Sequence, residues 1–191
     1  MSVREDVDLD AVIAEARDFH RAFGSMQLAT SKADQPVASY APYVTDDQGH
    51  FYIYLSELAQ HTGNLMVNPN VSFLFIENEQ DAAHLFGRRR LTYQAVAECI
   101  PRDTAEFDRR LDQFEAVHGG FMKMLRGLVD FRLFVLRPSG ANFVRGFAQA
   151  YELQGADLQR IRHVNDRGHR PRAENDPKPQ NTPTGGASER A

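Results

Sequence analysis

The sequence predicts a mainly β protein with flanking helices, in which six or seven strands form a closed or nearly closed barrel. Two observations predict this fold class. Short segments rich in β-branched and aromatic residues follow one another with polar turns between them. Helical periodicity is confined to an N-terminal stretch, one crossover and a few later segments. Closure into a barrel is expected because it removes exposed strand edges.

The helical segments are predicted from apolar spacing and from residues that begin or end helices. Apolar residues recur at three- and four-residue steps over residues 5–23, and Gly24 ends that pattern. In the crossover over residues 56–70, Ser56 is a predicted N-cap and Asn68-Pro69 ends the helix. A later helix carries one apolar stripe, formed by Phe107, Leu111, Phe114 and Val117. Short helices are also predicted over residues 80–86 and 156–161.

The strands are predicted from their composition and their alternation. The first four are MQLAT, VASYAPYV, FYIYL and VSFLFI, with a hairpin turn at DDQG before the third. In the fifth, alternate residues from Leu91 to Cys99 are apolar, which indicates that one face is buried. Two further strands, DFRLFVLRP and ANFVRGFA, are predicted on either side of a turn at Pro138-Ser139-Gly140.

Composition bounds both the domain organisation and the class of function. A chain of 191 residues suits one domain, predicted over residues 1–161. Residues 162–170 form a short separate segment, and residues 171–191 hold four of the nine prolines and no aromatic residue, which predicts a disordered tail. The net charge of −4 does not favour nucleic acid as a partner.

The same sequence predicts a soluble cytoplasmic protein. No apolar run is long enough to cross a bilayer, so no membrane association is expected. The N-terminal segment MSVREDVDLD is too acidic and polar for a signal peptide. Cys99 is the only cysteine, which excludes an internal disulfide.

Common catalytic signatures are missing, and the densest positive cluster is Arg88, Arg89 and Arg90. If these residues are in a strand, Arg88 and Arg90 share a face. Two interpretations are open for that face. The guanidinium groups could anchor a phosphate or carboxylate, or they could be a solvated hairpin end.

Histidines and one carboxylate complete the set of candidate residues. His61, in the crossover helix, could be a ligand, a proton relay, a partner of a carboxylate or an ordinary surface residue. Asp130 precedes an apolar strand, where it could be a solvated strand end or could orient a histidine. His163 and His169 do not have zinc-site spacing, but a lone imidazole can serve as an axial haem ligand.

Several segments in one order carry a family resemblance over about residues 10–170. They are LSELAQHTGNLMVNPNVSFLFIE, LFGRRRLTYQAVAECI, DFRLFVLRP and FVRGFAQAY. Together they resemble the HugZ/HutZ family of haem-utilisation proteins, whose fold is similar to the pyridoxamine-phosphate-oxidase-like, FMN-binding split barrels. The resemblance implies a homodimer of split barrels that binds haem near the subunit interface. It also implies oxidative degradation of the haem with dioxygen and an electron donor, which releases iron.

The resemblance also implies roles for individual residues. The GH of DRGHR matches the family's C-terminal histidine, so His169 is the expected iron ligand. Asp130 is expected to accept a hydrogen bond from that ligand or to pair with His61 across the dimer. Arg90, with Arg88 beside it, is expected to face haem or its propionates. His163 is an alternative ligand.

Two departures from the family pattern bear on these expectations. The family commonly has glycine at the end of GFG, where this chain has Ala148, so the local backbone is expected to differ there. The flavin-binding branch usually supplies Lys or Arg from the crossover helix to the FMN phosphate, and residues 56–70 contain neither. Haem is therefore expected above FMN, with an FMN-dependent oxidoreductase and a non-catalytic haem carrier as the alternatives.

Overall fold

The computed structural model describes residues 7–155 and 158–164. The α-helices are α1 (Leu9–Phe19), α2 (Gln60–Val67), α3 (Ala105–His118) and α4 (Phe121–Arg126). The strands are β1 (Ser25–Lys32), β2 (Gln35–Thr45), β3 (Phe51–Ser56), β4 (Asn70–Ile76), β5 (Arg90–Ile100), β6 (Phe131–Gly146), β7 (Gln149–Gln154) and β8 (Arg160–His163). None of the described helices is long and apolar enough to cross a membrane.

Six strands close into a barrel, which confirms the predicted fold class. Their order is β3-β2-β1-β4-β5-β6, and β3 also pairs with β6, so the sheet closes on itself. All of these pairings are antiparallel. One edge of β6 pairs with two strands in succession. The first part of β6 pairs with β3, and its last part pairs with β7. Strands β7 and β8 therefore extend the sheet beyond the closed barrel.

The barrel interior contains a cluster of large aromatic side chains. The largest fully buried ones are Phe51, Phe73, Phe75, Phe134, Phe143 and Tyr151. The Phe73 and Tyr93 rings stack with centroids 4.9 Å apart. Each such side chain contributes about 1.5–3 kcal/mol by leaving water. A second cluster, under α3, contains Phe107, Leu111 and Phe114, as the predicted stripe requires, whereas Val117 is 62% exposed.

Helix α2 covers one end of the barrel and is held there by polar contacts. Asn64 donates to the Thr30 hydroxyl at 3.1 Å, and Asn68 donates to the Ser31 hydroxyl at 3.0 Å. The prediction that Ser56 caps this helix is wrong. Its hydroxyl accepts from the Leu58 N–H at 3.2 Å in a turn before the helix, and the N-cap position is Ala59.

The predicted turn at Pro138-Ser139-Gly140 is also wrong, because β6 runs through these residues as one strand of 16. Gln94 pairs with Gly140 and Ala95 pairs with Pro138, so Ser139 is an extra residue in a β-bulge. A β-bulge accommodates an extra residue within a strand. A segment with the composition of a turn can therefore be part of a continuous strand.

Two short helices predicted from the sequence are not α-helices in the structure. The segment 80–86 contains parts of two separate 3-10 turns, Glu79–Asp81 and Leu85–Gly87. In the segment 156–161, residues 160–161 belong to β8, while residues 156 and 157 lie outside the described part. Strand β8 continues to His163, past the predicted domain end at residue 161. Most of the predicted segment 162–170 and all of 171–191 lie outside the described residues.

Candidate functional site

The predicted site residues that the structure describes lie at two ends of the barrel. Strand β4 begins at Asn70, next to α2, and ends at Ile76, which pairs with Arg90. Six residue steps at about 3.3 Å separate these ends by about 20 Å. We call them the α2 end, which holds His61 and Asp130, and the Arg90 end, which holds Arg88, Arg90 and His163.

His61 lies in the first turn of α2 and is half-buried against β2. Its Nδ1 is 2.9 Å from the Ser39 hydroxyl. Burial lowers the pKa of His61 below the usual histidine value, so the ring is neutral at pH 7. Within residues 7–155 and 158–164, the structure shows no hydrogen bond to its Nε2. A neutral imidazole oriented through one nitrogen has the other nitrogen available to a proton or a ligand.

Asp130 lies immediately before β6, at the same end of the barrel. Its carbonyl oxygen accepts from the Glu57 N–H at 2.7 Å. In the described part of the chain, no hydrogen bond or ion pair reaches its carboxylate, and His61 is bonded to Ser39 instead. The neighbouring side chains of Leu58 and Val129 are 89% and 84% exposed. Two exposed apolar residues therefore lie close to Asp130 in the sequence and the fold, together with the Glu57–Arg132 ion pair.

At the Arg90 end, the structure separates the two arginines that the sequence placed on one strand face. Strand β5 begins only at Arg90, so the alternation that would align Arg88 with it does not apply. The Arg88 guanidinium bonds to the Glu77 carbonyl and to the Glu79 carboxylate at 3.1 Å. Its side chain is only 18% exposed. Arg88 therefore holds its own loop in place.

Arg90 lies on the outer face of the sheet, since the next residue, Leu91, is buried in the barrel. One of its terminal nitrogens donates to the Arg88 carbonyl at 2.9 Å. The described residues provide no partner for its remaining N–H groups. Arg89, in contrast, bonds to Glu15 at 2.5 Å and packs over the Phe19 ring. Arg90 is therefore the member of the cluster best able to bind an external anion.

His163 is the last residue of β8 and packs on Tyr151, with ring centroids 4.9 Å apart. Tyr151 is buried and pairs with Phe143, which pairs with Leu91. His163 is in this buried row, so it faces the opposite side of the sheet from Arg90. The predicted iron ligand, His169, lies outside the described residues.

A polar cluster that the sequence did not predict joins the β2–β3 turn to α3. Asp46 accepts from the Tyr52 hydroxyl at 2.8 Å and from the His50 ring at 3.1 Å, and Arg110 stacks over Tyr52 at 4.0 Å. Burial acts to raise the pKa of Asp46, but hydrogen bonds from the His50 N–H, the Tyr52 hydroxyl and the His50 ring outweigh it and hold this pKa below its usual value. The spacing of Asp46 and His50 was visible in the sequence. The contact with Arg110, 64 residues away, was not.

Comparisons with known proteins identify the family. Residues 12–145 match the family model described as pyridoxamine 5'-phosphate oxidase. The chain is 41% identical over 157 residues to the protein named heme oxygenase HutZ of Vibrio cholerae, an alignment that covers 82% of this chain and 88% of that protein. The chain belongs to the HugZ/HutZ family. The resemblance predicted from the sequence is thereby confirmed.

Solved structures of two HugZ/HutZ relatives agree. The crystal structure of Campylobacter jejuni ChuZ matches with a TM-score of 0.74 at 36% identity, over 84% of this chain and 65% of that one. The chain thus spans slightly less than two thirds of that relative. The crystal structure of Vibrio cholerae HutZ, described as a heme storage protein, matches with a TM-score of 0.62 at 38% identity, over 67% of this chain and 91% of that one.

Proposed function

We propose that this protein binds haem and takes part in haem utilisation by degrading haem oxidatively. The observation that carries the proposal is the 41% identity to a protein named heme oxygenase, over 82% of the chain. The description of a relative as a heme storage protein defines the competing function, a carrier without turnover. Turnover therefore has to be tested separately from binding.

The site is formed between two chains in this proposal. Strand β4, which joins the two ends, is about 20 Å long, and in this proposal one chain does not bring Asp130, His61 and Arg90 to one ligand. In a homodimer the α2 end of one chain faces the Arg90 end of its partner. The exposed apolar side chains of Leu58 and Val129 beside Asp130 support this arrangement, because a second chain or a bound macrocycle would remove them from water.

The residues of this chain suit haem in distinct ways. His169 follows His163 by six residues, a length that spans up to about 20 Å and allows it to reach the interface as the iron ligand. Asp130 accepts the other N–H of that imidazole and fixes its tautomer. Arg90 binds a propionate on the outer face of the sheet. The His163 ring faces the buried side of the sheet, opposite to Arg90, so His169 is the preferred ligand.

Bound haem supplies an iron centre that, with dioxygen and an external electron donor, allows oxidative opening of the porphyrin. The protein's own contribution is to hold the macrocycle between two chains and to keep its imidazole ligand in one tautomer. His61, neutral and oriented by Ser39, accepts or passes on a proton at its Nε2 on the haem side of the interface.

The alternative is an FMN-dependent oxidoreductase, favoured by the match to the pyridoxamine 5'-phosphate oxidase family model. The described residues fit FMN poorly. Residues 56–70 contain no Lys or Arg, and the guanidinium of Arg88 is already bonded to Glu77 and Glu79. Arg90 keeps N–H groups available among the described residues, but one guanidinium holds a phosphate dianion more weakly than several cations do. Flavin absorbance in the purified protein would support this alternative.

Haem titration and turnover test the proposal. The wild-type protein should take up haem with a Soret band, and the band should decay when ascorbate is added in air. His169→Ala should weaken uptake and abolish decay, while His84→Ala, which removes an exposed histidine that bonds only to the Phe86 N–H among the described residues, should behave as wild type. A stable Soret band with ascorbate would favour the carrier. An unchanged spectrum in His169→Ala would exclude His169 as the ligand.

A further inference from the structure

Arg102, which lies between β5 and α3, makes a set of contacts with the segment that leads to Asp130. Its guanidinium donates to the carbonyl of Arg126 at 3.2 Å, of Leu128 at 2.5 Å and of Phe131 at 3.1 Å. It also packs 5.2 Å from the centroid of the Phe107 ring, which is buried under α3. One side chain thus binds three carbonyls on both sides of Asp130 in the sequence.

One of these contacts satisfies the last carbonyl of α4, at Arg126, and the other two reach carbonyls after the helix, at Leu128 and Phe131. The last carbonyls of a helix have no partner within the helix, and a guanidinium is well suited to them through both its hydrogen bonds and its charge. Tyr54 adds a bond from its hydroxyl to the Leu125 carbonyl at 3.3 Å, and Arg102 lies 3.4 Å from the same hydroxyl. The connection over residues 126–131 is therefore fixed through its backbone.

Within this connection the Arg126 side chain pairs with Asp108 and Asp112 and the Phe131 ring packs on Tyr54, whereas the Asp130 carboxylate has no partner among the described residues. In the described residues Arg102 makes no ion pair with the Asp130 carboxylate, because its N–H groups point at carbonyls. Glu57, whose N–H bonds to the Asp130 carbonyl, forms its own ion pair with Arg132. A carboxylate on a fixed backbone with no partner among the described residues is available to an external one.

We infer that Arg102 is a positioning residue that holds the 126–131 connection so that the Asp130 carboxylate meets the haem-ligating imidazole. This inference rests on the proposed function, since it gives Asp130 its external partner. It adds a residue 28 positions away in the sequence that touches neither haem nor the ligand. Lysine cannot replace it, because one ammonium group does not span three carbonyls as the planar guanidinium does.

The first test measures the connection itself, without haem. Amide hydrogen exchange over residues 127–131 should be faster in Arg102→Lys than in wild type. Arg109→Lys is the matched control, since Arg109 is an exposed arginine on the neighbouring helix that forms an ion pair with Glu106. It should leave this exchange unchanged. Tyr54→Phe keeps the buried ring and should give a smaller increase, which provides a second variant if Arg102→Lys folds poorly.

The second test measures coupling to Asp130 by haem titration of Arg102→Lys, Asp130→Asn and the double variant. Each single change should weaken haem binding by about 10-fold. This value is the low end of the loss in metal affinity expected when a residue that orients a metal ligand is replaced. Arg102→Lys should add no further loss in the Asp130→Asn background. An equal loss in both backgrounds, or unchanged exchange over residues 127–131, would overturn the inference. No haem uptake by wild type, with faster exchange in Arg102→Lys, would instead overturn the proposed function and leave Arg102 as an anchor of the connection alone.

Discussion

Replacing Ala148 with glycine should stabilise the protein, because the backbone at this position has a conformation that alanine disfavours. Ala148 lies in the turn between β6 and β7 with φ of 61°. The left-handed conformation costs an L-residue about 1–2 kcal/mol. Glycine avoids this cost but loses about 0.5–1 kcal/mol through the greater freedom of the unfolded chain. The net gain expected for Ala148→Gly is about 0.5–1 kcal/mol.

Urea denaturation and thermal melting measure this gain. For a chain of this size it corresponds to an increase in Tm of about 1–4 °C, with an unchanged m-value in urea. Ala82→Gly is the matched control, since Ala82 has φ of −81° and the same substitution should destabilise there. If Ala148→Gly destabilised the protein as much as Ala82→Gly does, the backbone strain assigned to Ala148 would be refuted. The family's preference for glycine at this position would then need another cause.

Three further predictions concern backbone strain and acid sensitivity. Ala33→Gly, in the β1–β2 turn with φ of 50°, should also stabilise by about 0.5–1 kcal/mol, measured in the same urea assay. Asp46→Asn should destabilise by about 1–2 kcal/mol at pH 7. Because its pKa is below the usual value of 3.8, Asp46 adds stability above about pH 4, and the difference from wild type should shrink as the pH falls below that value. Burial lowers the pKa of His20 to about 4. Between pH 6.5 and 4 the unfolded state therefore binds more protons than the folded state, and the free energy of unfolding should decrease as the pH falls through that range. His20→Gln should flatten this dependence when denaturation is repeated from pH 7 to 4, and His84→Gln should not.

Much of the barrel could be predicted because its strands have a clear pattern of composition and alternation. Alternate burial along β5, with Leu91, Tyr93, Ala95 and Ala97 inside, follows directly from the sequence. The incorrect predictions lie where the local composition indicated a turn but pairing with a neighbouring strand determined the structure. Pro138-Ser139-Gly140 has the composition of a turn, but pairing with β5 keeps the strand continuous and a bulge takes up the extra residue.

The residues of the candidate site stay predictions, and their arrangement in the fold could not be predicted from the sequence. The positions of His61, Asp130 and Arg90 came from the family resemblance. Their separation at two ends of the barrel depends on strand register, which no single segment of sequence specifies. Arg102 could not be found, because its partners lie 24 to 29 residues away and are backbone carbonyls, which have no sequence signature.

The outermost strand of the described sheet, β8, is attached by four residue pairs to β7 alone. Edge strands this short open at a lower free energy than strands paired on both sides. The segment that contains His169 therefore follows the strand of the described sheet that opens most easily. A ligand bound by the segment that follows β8 would also stabilise β8, so slower amide exchange at residues 160–163 would report that the ligand is bound.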